Sequence, residues 1–512
     1  MSDSLTGNKL IAKNATMLYI RMFITMAISF YTSRIVLQAL GVSDYGIYNV
    51  VGGTIVIIDV LVAALGGATS RFLTFALGKN DPENLKKTFS TAAWVHIGLA
   101  AAFVVVAETL GLWFINNHLV IPEGRMAAAN WVYQAAVVNF AMGITQTPYN
   151  ASITSHEHMT VFAYIAIINA LCKLGIAAFV LIYSGDHLIL YSILLMALAI
   201  LFRIYYRYYC VKHFEECHIT KQFDKPLFKE MVAFSSWNML GSIMLTFKNQ
   251  GVSILINRFF GTLLNAAAGV ALQVQGMLYA FTGNIKVAFN PQIIKSYAMS
   301  NFGRVNELIG LGTKFTALVT ILTTIPFIFN MDFLMGIWLK EVPQGAVVIC
   351  QILLFANFFN SFNTFINTAI VASGKIKNLN ITLSFFYVAV LIATYLILRF
   401  THSYTWAYLI TLVSCPLSTV VYLVLLKRIM NAFSARAFLK KTYLPLFATA
   451  FSSLALAWLI SKIISSPLFS FLLIATLCTA FVIAVAYYFV FDQNVRDQVK
   501  EFVKSKIRRK KQ

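Results

Sequence analysis

Fourteen apolar runs, each bounded by charged residues or by Gly, Pro and Asn, constrain this chain more than any motif does. A helix needs about 20 mainly apolar residues to cross a bilayer. The runs are read, to within a few residues at each end, as Asn14 to Leu40, Val51 to Ala76, Ser90 to Ile115, Met126 to Pro148, Thr160 to Tyr183 and His187 to Tyr209. After a basic loop come Ala233 to Asn257, Leu264 to Ala288, Leu311 to Met331, Ala346 to Ala372, Ile381 to Leu398, Thr405 to Leu426, Tyr443 to Ile460 and Leu468 to Phe491. Composition agrees, because 59% of the 512 residues are hydrophobic and 12% are charged, where soluble domains carry about 25% charged residues. A soluble protein is excluded. The expected fold is all-α and polytopic, with about 14 transmembrane helices.

The net charge of +21 could suggest nucleic acid. Mapping every Lys and Arg onto the spans removes that reading. With the N-terminus inside, the cytoplasmic segments and their edges hold 30 basic residues and the opposite loops hold five, Arg125, Arg258, Lys340, Arg399 and Lys462. Such a bias over short loops places both termini in the cytoplasm. No nucleic-acid partner is expected, and the polybasic stretch Lys504 to Lys511 reads as an anchor to anionic membrane lipids. The first span is too long for a signal-peptide core and is expected to be retained.

Loops of at most about 22 residues leave no room for a soluble domain, and Gly78-Lys79-Asn80 and Gly374-Lys375-Ile376 lack the pattern of a phosphate-binding loop. An ATP-driven pump or an enzyme is therefore disfavoured, although a membrane-embedded glycan polymerase or glycosyltransferase stays open as an alternative. Cys210, His213, Cys217 and His218 cluster without matching a standard zinc spacing, and are read as a solvated helix end with no metal. No cofactor is expected beyond a coupling proton or sodium ion.

Sliding the second half over the first at an offset of 220 superposes Leu40-Gly41 on Phe260-Gly261, Ala68 to Arg71 on Ala288 to Pro291, and Gly78 to Asn84 on Ala298 to Arg304. An even number of spans precedes the second copy, so the copies share an orientation. Two parallel six-helix lobes are a transporter plan with the substrate site between repeats. The expected organisation is an N-lobe over 1–209, a basic cytoplasmic linker over 210–232, a C-lobe over 233–427, two further spans over 428–491 and a polybasic tail over 492–512.

A charge at a helix centre costs about 2.5 to 3.5 kcal/mol, so such residues face a wet cavity or a partner. Seven fall in spans: Arg21, Arg34, Arg71, Lys173 and Lys248 against Asp59 and Glu108. A hydrated chamber with that bias suits an anionic passenger held by charge-assisted hydrogen bonds. Arg71 could instead snorkel to the surface and Arg34 could pair with Asp59. Asp59 and Glu108 are candidates for the coupling ion. Asn357, Asn360, Asn363 and Asn367 recur at helical spacing as a polar stripe, facing either the cavity or a neighbouring helix. Pro326 and Pro416 should kink their helices.

The stretch Leu40-Gly41-Val42-Ser43-Asp44-Tyr45-Gly46-Ile47-Tyr48-Asn49, the span end Thr69-Ser70-Arg71-Phe72 and the polar Gly78-Lys79-Asn80-Asp81 resemble the bacterial polysaccharide flippases, the O-antigen or capsule repeat-unit transporters. These belong to the multidrug/oligosaccharidyl-lipid/polysaccharide (MOP) exporter superfamily, with its MATE-like fold. The resemblance implies a flippase of the inner membrane that moves an undecaprenyl-pyrophosphate-linked oligosaccharide to the periplasmic leaflet by ion-gradient or potential-driven alternating access. It implies cavity arginines in the first lobe, a role open to Arg21, Arg34 or Arg71, and partners such as a polysaccharide polymerase and a chain-length regulator. A multidrug or cation antiporter of the same fold is the nearest alternative.

Overall fold

A computed structural model describes residues 2–53, 59–119, 121–220, 223–339, 341–493, 495–497 and 500, without the side chains of 2–6, 42, 52–53 and 59–61. Every regular element among them is helical. In chain order these are α1 Ser2–Gly53, α2 Asp59–Gly78, α3 Pro82–Val106 with a π turn Ala107–Gly111, α4 Leu112–His118, α5 Met126–Ser155, α6 Met159–Ile182, α7 His187–His213 with a short turn Glu215–Cys217, and α8 Lys225–Ala298. There follow α9 Phe302–Phe329, α10 Met331–Trp338, α11 Ala346–Ser361, α12 Asn363–Ser373, α13 Lys377–Thr401, α14 Tyr404–Ile429, α15 Ala435–Phe438 with a π turn Leu439–Tyr443, α16 Leu444–Ile463, and α17 Pro467–Val485 with a π turn Ala486–Val490.

Ten helices among the described residues are long and apolar enough to cross a membrane. The bent pair α11 and α12 makes an eleventh; α5, the shorter apolar stretch Val62–Gly78 and the division of α8 at Gly261 stand at other expected span positions. The protein is a multi-pass membrane protein.

The repeat is written into the backbone. Gly41 breaks α1 at φ 71° and Gly261 breaks α8 at φ 81°, 220 residues apart. Only glycine takes that left-handed conformation without a Cβ penalty, so both helices turn where the sequence repeat places the glycine. Asn80 and Ser300 form a second such pair, at φ 54° and 56°. Asp81 then caps α3 by accepting from the Asn84 amide, and Asn301 caps α9 by accepting from the Arg304 amide.

The chain divides into two compact units, Met1–Ser242 with Asn290–Ser300 and Ile243–Phe289 with Asn301–Gln512. In the first, α1 packs on α6 and α5 on α7. One apolar cluster gathers Val36, Leu40, Ile115, Val132, Val180 and Leu188, and another gathers Leu73, Phe89, Tyr149 and Ile153 with Cys210 and Cys217. The two cysteines are therefore core residues and not part of a solvated helix end, because the turn after α7 folds back onto α3. In the second unit α11 and α13 pack on α14, while α16 and α17 pack on α9 and bury Leu446, Ala457 and Ile474.

Candidate functional site

The first unit holds a groove of about 300 Å³ between α1 and α6. On α1, Thr25, Ser29, Thr32 and Val36 fall on one face at steps of three and four residues; on α6, Ala166, Asn169, Ala170 and Lys173 do the same. Ser33, Tyr45, Tyr48 and Tyr191 complete the lining, with the Tyr48 and Tyr191 rings edge to face at 5.4 Å. Thr25 and Thr32 donate their hydroxyl hydrogens to the Arg21 and Ile28 carbonyls at 2.7 Å, so their remaining lone pairs are acceptors. Lys173 contributes an ammonium with three donors, and the described lining contains no carboxylate. Sugar hydroxyls suit such acceptors and an anion suits Lys173.

Arg21 stands one helical turn before Thr25, with its guanidinium 5.0 Å from the centre of the Phe162 ring of α6. Arg21 and Lys173 thus share the α1–α6 contact. Arg34 does not line the groove; it is exposed on the α1 face that carries Phe23 and Phe30, both also exposed. Arg71 is 5% exposed, boxed by the rings of Phe72, Phe75 and Phe234 at 4.6, 4.8 and 5.6 Å and lying 4.0 Å from Glu230. It neither snorkels nor meets the groove.

Glu108 sits in the π turn and accepts from the Gln134 amide at 2.9 Å. Asp59 opens α2, but its side chain lies outside the described residues, as do Lys340 and the basic stretch 504–511.

In the second unit Lys248 is 8% exposed, with its nitrogen 5.6 Å from the Tyr387 ring centre. The four asparagines do not form one continuous helix face, because the chain bends by 43° at Phe362, between α11 and α12. No proline stands at that bend, whereas α9 and α14 run on through Pro326 and Pro416. Asn357 exchanges hydrogen bonds with Gln275 of α8, at 3.1 and 3.3 Å, and Asn363 donates to Ser418 of α14 at 3.2 Å. Asn360 and Asn367 are half-buried. For Asn357 and Asn363 the helix-bridging role is the one observed.

No family model matches the chain, and no curated protein sequence matches it either. Solved structures do. A MATE protein crystallised in complex with MaL6 aligns over 83% of this chain and 99% of its own, at TM-score 0.69 and 12% identity. A multidrug resistance MATE family transporter of the MOP superfamily, in an outward-facing conformation, aligns over 84% of this chain and 99% of its own, at TM-score 0.69 and 11% identity. A MOP superfamily transporter from Pyrococcus furiosus, described as having a binding pocket of reverse polarity, aligns over 83% of this chain and 98% of its own, at TM-score 0.69 and 11% identity. This chain has the MATE fold.

Within the MATE fold, the stretch Leu40 to Asn49 is structural at one end of the first unit. Arg125 pairs with Asp44 and Asp186, both at 2.5 Å, and His187 bonds to the Ala39 carbonyl at 2.6 Å. Two further cations are held by helices. Lys314 is buried in α9 and meets Asp492 at 3.4 Å; Arg203 of α7 donates to Thr145 at 2.9 Å and lies 4.5 Å from the Tyr149 ring centre. The groove hydroxyls were also missed. Their signal was present in the four-residue step from Thr25 to Ser29, but Ser and Thr in apolar spans so often bond their own helix that the pattern alone carries little.

Proposed function

We propose that this protein is a flippase for lipid-linked oligosaccharides, moving an undecaprenyl-pyrophosphate-linked repeat unit from the cytoplasmic to the periplasmic leaflet of a bacterial inner membrane, with both termini in the cytoplasm. One observation carries this reading: Lys173 stands in a hydroxyl-lined groove with no described acid. A pyrophosphate needs positive charge that is not already neutralised, and an oligosaccharide needs hydrogen-bond acceptors; the groove offers both within one helix–helix contact. Arg21, one turn before Thr25, adds to the cationic bias of this groove. The lipid tail stays in hydrocarbon while the polar head crosses, so the protein's task is to replace water around the head. The MATE fold supports alternating access, and Glu108 or Asp59 is the proposed site for the proton or sodium ion that resets it. A polymerase and a chain-length regulator are the expected partners, since the flipped units must be joined outside.

The second reading is a drug or cation antiporter, favoured by the fold shared with the multidrug resistance MATE transporter. The two separate in proteoliposomes containing purified protein, a fluorescent lipid-pyrophosphate oligosaccharide and, in parallel, a cationic dye. A flippase makes the labelled glycan accessible to an external lectin, and Lys173→Gln slows this about tenfold with no loss of folded protein. Dye extrusion without glycan translocation establishes the antiporter.

A further inference from the structure

We infer that an anionic phospholipid of the surrounding bilayer binds in a second groove, at the end of α7. This groove has a volume of about 460 Å³, and its lining includes Ile204, Arg207, Tyr208, Val211, His218 and Ile219. The four α7 residues lie at successive steps of three, one and three and so share a face. Polarity changes along that face. Ile204 lies deeper in the span, Arg207 and Tyr208 follow, and Lys212 is one turn beyond Tyr208, with its nitrogen 5.8 Å from the Tyr208 ring centre. Ile204 and Tyr208 are 58% and 61% exposed, so an apolar stem and an aromatic ring are presented to lipid. Tyrosine at such a depth marks the headgroup level.

The opposite wall is the segment after the short turn Glu215–Cys217, and it is fixed. Trp94 of α3 donates to the Thr220 carbonyl at 3.0 Å, and the Thr220 amide and hydroxyl donate to the Ser90 hydroxyl at 3.2 and 3.1 Å. The neighbouring acid, Glu215, faces Lys86 at 3.5 Å; among the described residues Arg207 in the lining and Lys212 beside Tyr208 are then the cations of this α7 face. An occupant must therefore carry a negative group at one end and hydrocarbon at the other. A free phosphate would leave the Ile204 and Ile219 walls uncovered, whereas a phospholipid covers both, with its phosphate at Arg207 and Lys212 and an acyl chain along the isoleucines. Basic pockets on the side of a membrane protein that carries the Lys and Arg excess hold anionic headgroups in this way. The groove is independent of the α1–α6 site and of the reading proposed for it.

The test reconstitutes the full chain in nanodiscs of equal parts phosphatidylglycerol and phosphatidylcholine, and counts retained lipid by native mass spectrometry after stepwise detergent washing. Wild type should retain phosphatidylglycerol preferentially. Arg207→Ala with Lys212→Ala should weaken that retention roughly 25-fold and leave phosphatidylcholine unchanged. Lys427→Ala with Arg428→Ala, at the end of α14, should behave as wild type. If the double alanine variant does not fold, Arg207→Gln alone keeps the stem and should weaken retention about fivefold. Equal retention of both lipids, no effect of the α7 variants, an equal loss in the α14 control, or displacement of phosphatidylglycerol by inorganic phosphate would each overturn the assignment.

Discussion

Lys295 donates its ammonium to Glu157 at 2.6 Å, and the Glu157 side chain is 3% exposed. Gln292 donates to the other carboxylate oxygen at 2.7 Å, so two positions near the end of α8 hold the turn between α5 and α6. Glu157 adopts φ 63°, a conformation uncommon for a residue with a side chain, and the bonds from α8 help to determine it. Lys295→Met leaves a buried carboxylate without its cation and should destabilise by about 3 kcal/mol. Adding Glu157→Gln removes the stranded charge and should recover part of that loss. Thermal unfolding of the two variants in detergent checks the order; a double variant less stable than Lys295→Met contradicts it.

Glu108 is the described acid that the coupling proposal concerns, and it lies in the π turn where α3 departs from regular winding. Insertions of this kind concentrate at functional sites. Glu108→Gln keeps a partner for Gln134 and removes the titratable charge. Transport by this variant should lose its dependence on pH or sodium while substrate binding persists. An unchanged ion dependence assigns coupling elsewhere.

The Arg125 guanidinium holds the Asp186 carboxyl below its ordinary value, and the Ile189 amide adds to the effect. A carboxylate depressed in the folded state stabilises above its unfolded value, near 3.8, and loses that contribution as the pH falls through the still lower folded value. Asp186→Asn should therefore cost about 1 kcal/mol at neutral pH, a modest figure because the pair is partly open to water. The gap between variant and wild type should close as the pH falls below about 4. A gap that stays constant down to pH 3 contradicts the assignment.

Tyr133 donates its hydroxyl to the Ala107 carbonyl at 2.7 Å, and that hydroxyl fills the space where a Cβ on Gly111 would stand. Gly111→Ala should destabilise by about 1 to 3 kcal/mol through overpacking. Tyr133→Phe loses one buried hydrogen bond, worth about 1 kcal/mol. Combining the two should cost less than the sum, because removing the hydroxyl makes room for the methyl group. Strict additivity in melting experiments would falsify the contact.

The helices were legible because the bilayer asks only for length and apolarity, and most of the runs from Asn14 to Phe491 supplied both. Gly41 and Gly261 were legible as a pair through their offset, and their shared backbone conformation explains why glycine stands at both positions. The site residues were less so. In-span charge identifies a residue that needs a partner and does not say which one. Arg71 found three aromatic rings and Glu230, Lys173 found a hydroxylated groove, and Arg34 lay on an exposed face, although all three read alike in the chain.

By itself the sequence determined the all-helical class, the positions of the spans and the repeat, since hydrophobic length and a glycine's freedom at positive φ are local properties. Only the tertiary structure decided what each polar group faces. It divided the asparagines at Phe362, turned Asn357 toward Gln275 and brought the Lys173 face of α6 against the Thr25 face of α1. A buried polar atom takes whichever partner the packing of another helix brings within about 3 Å, and that proximity is not encoded in the spacing along its own helix.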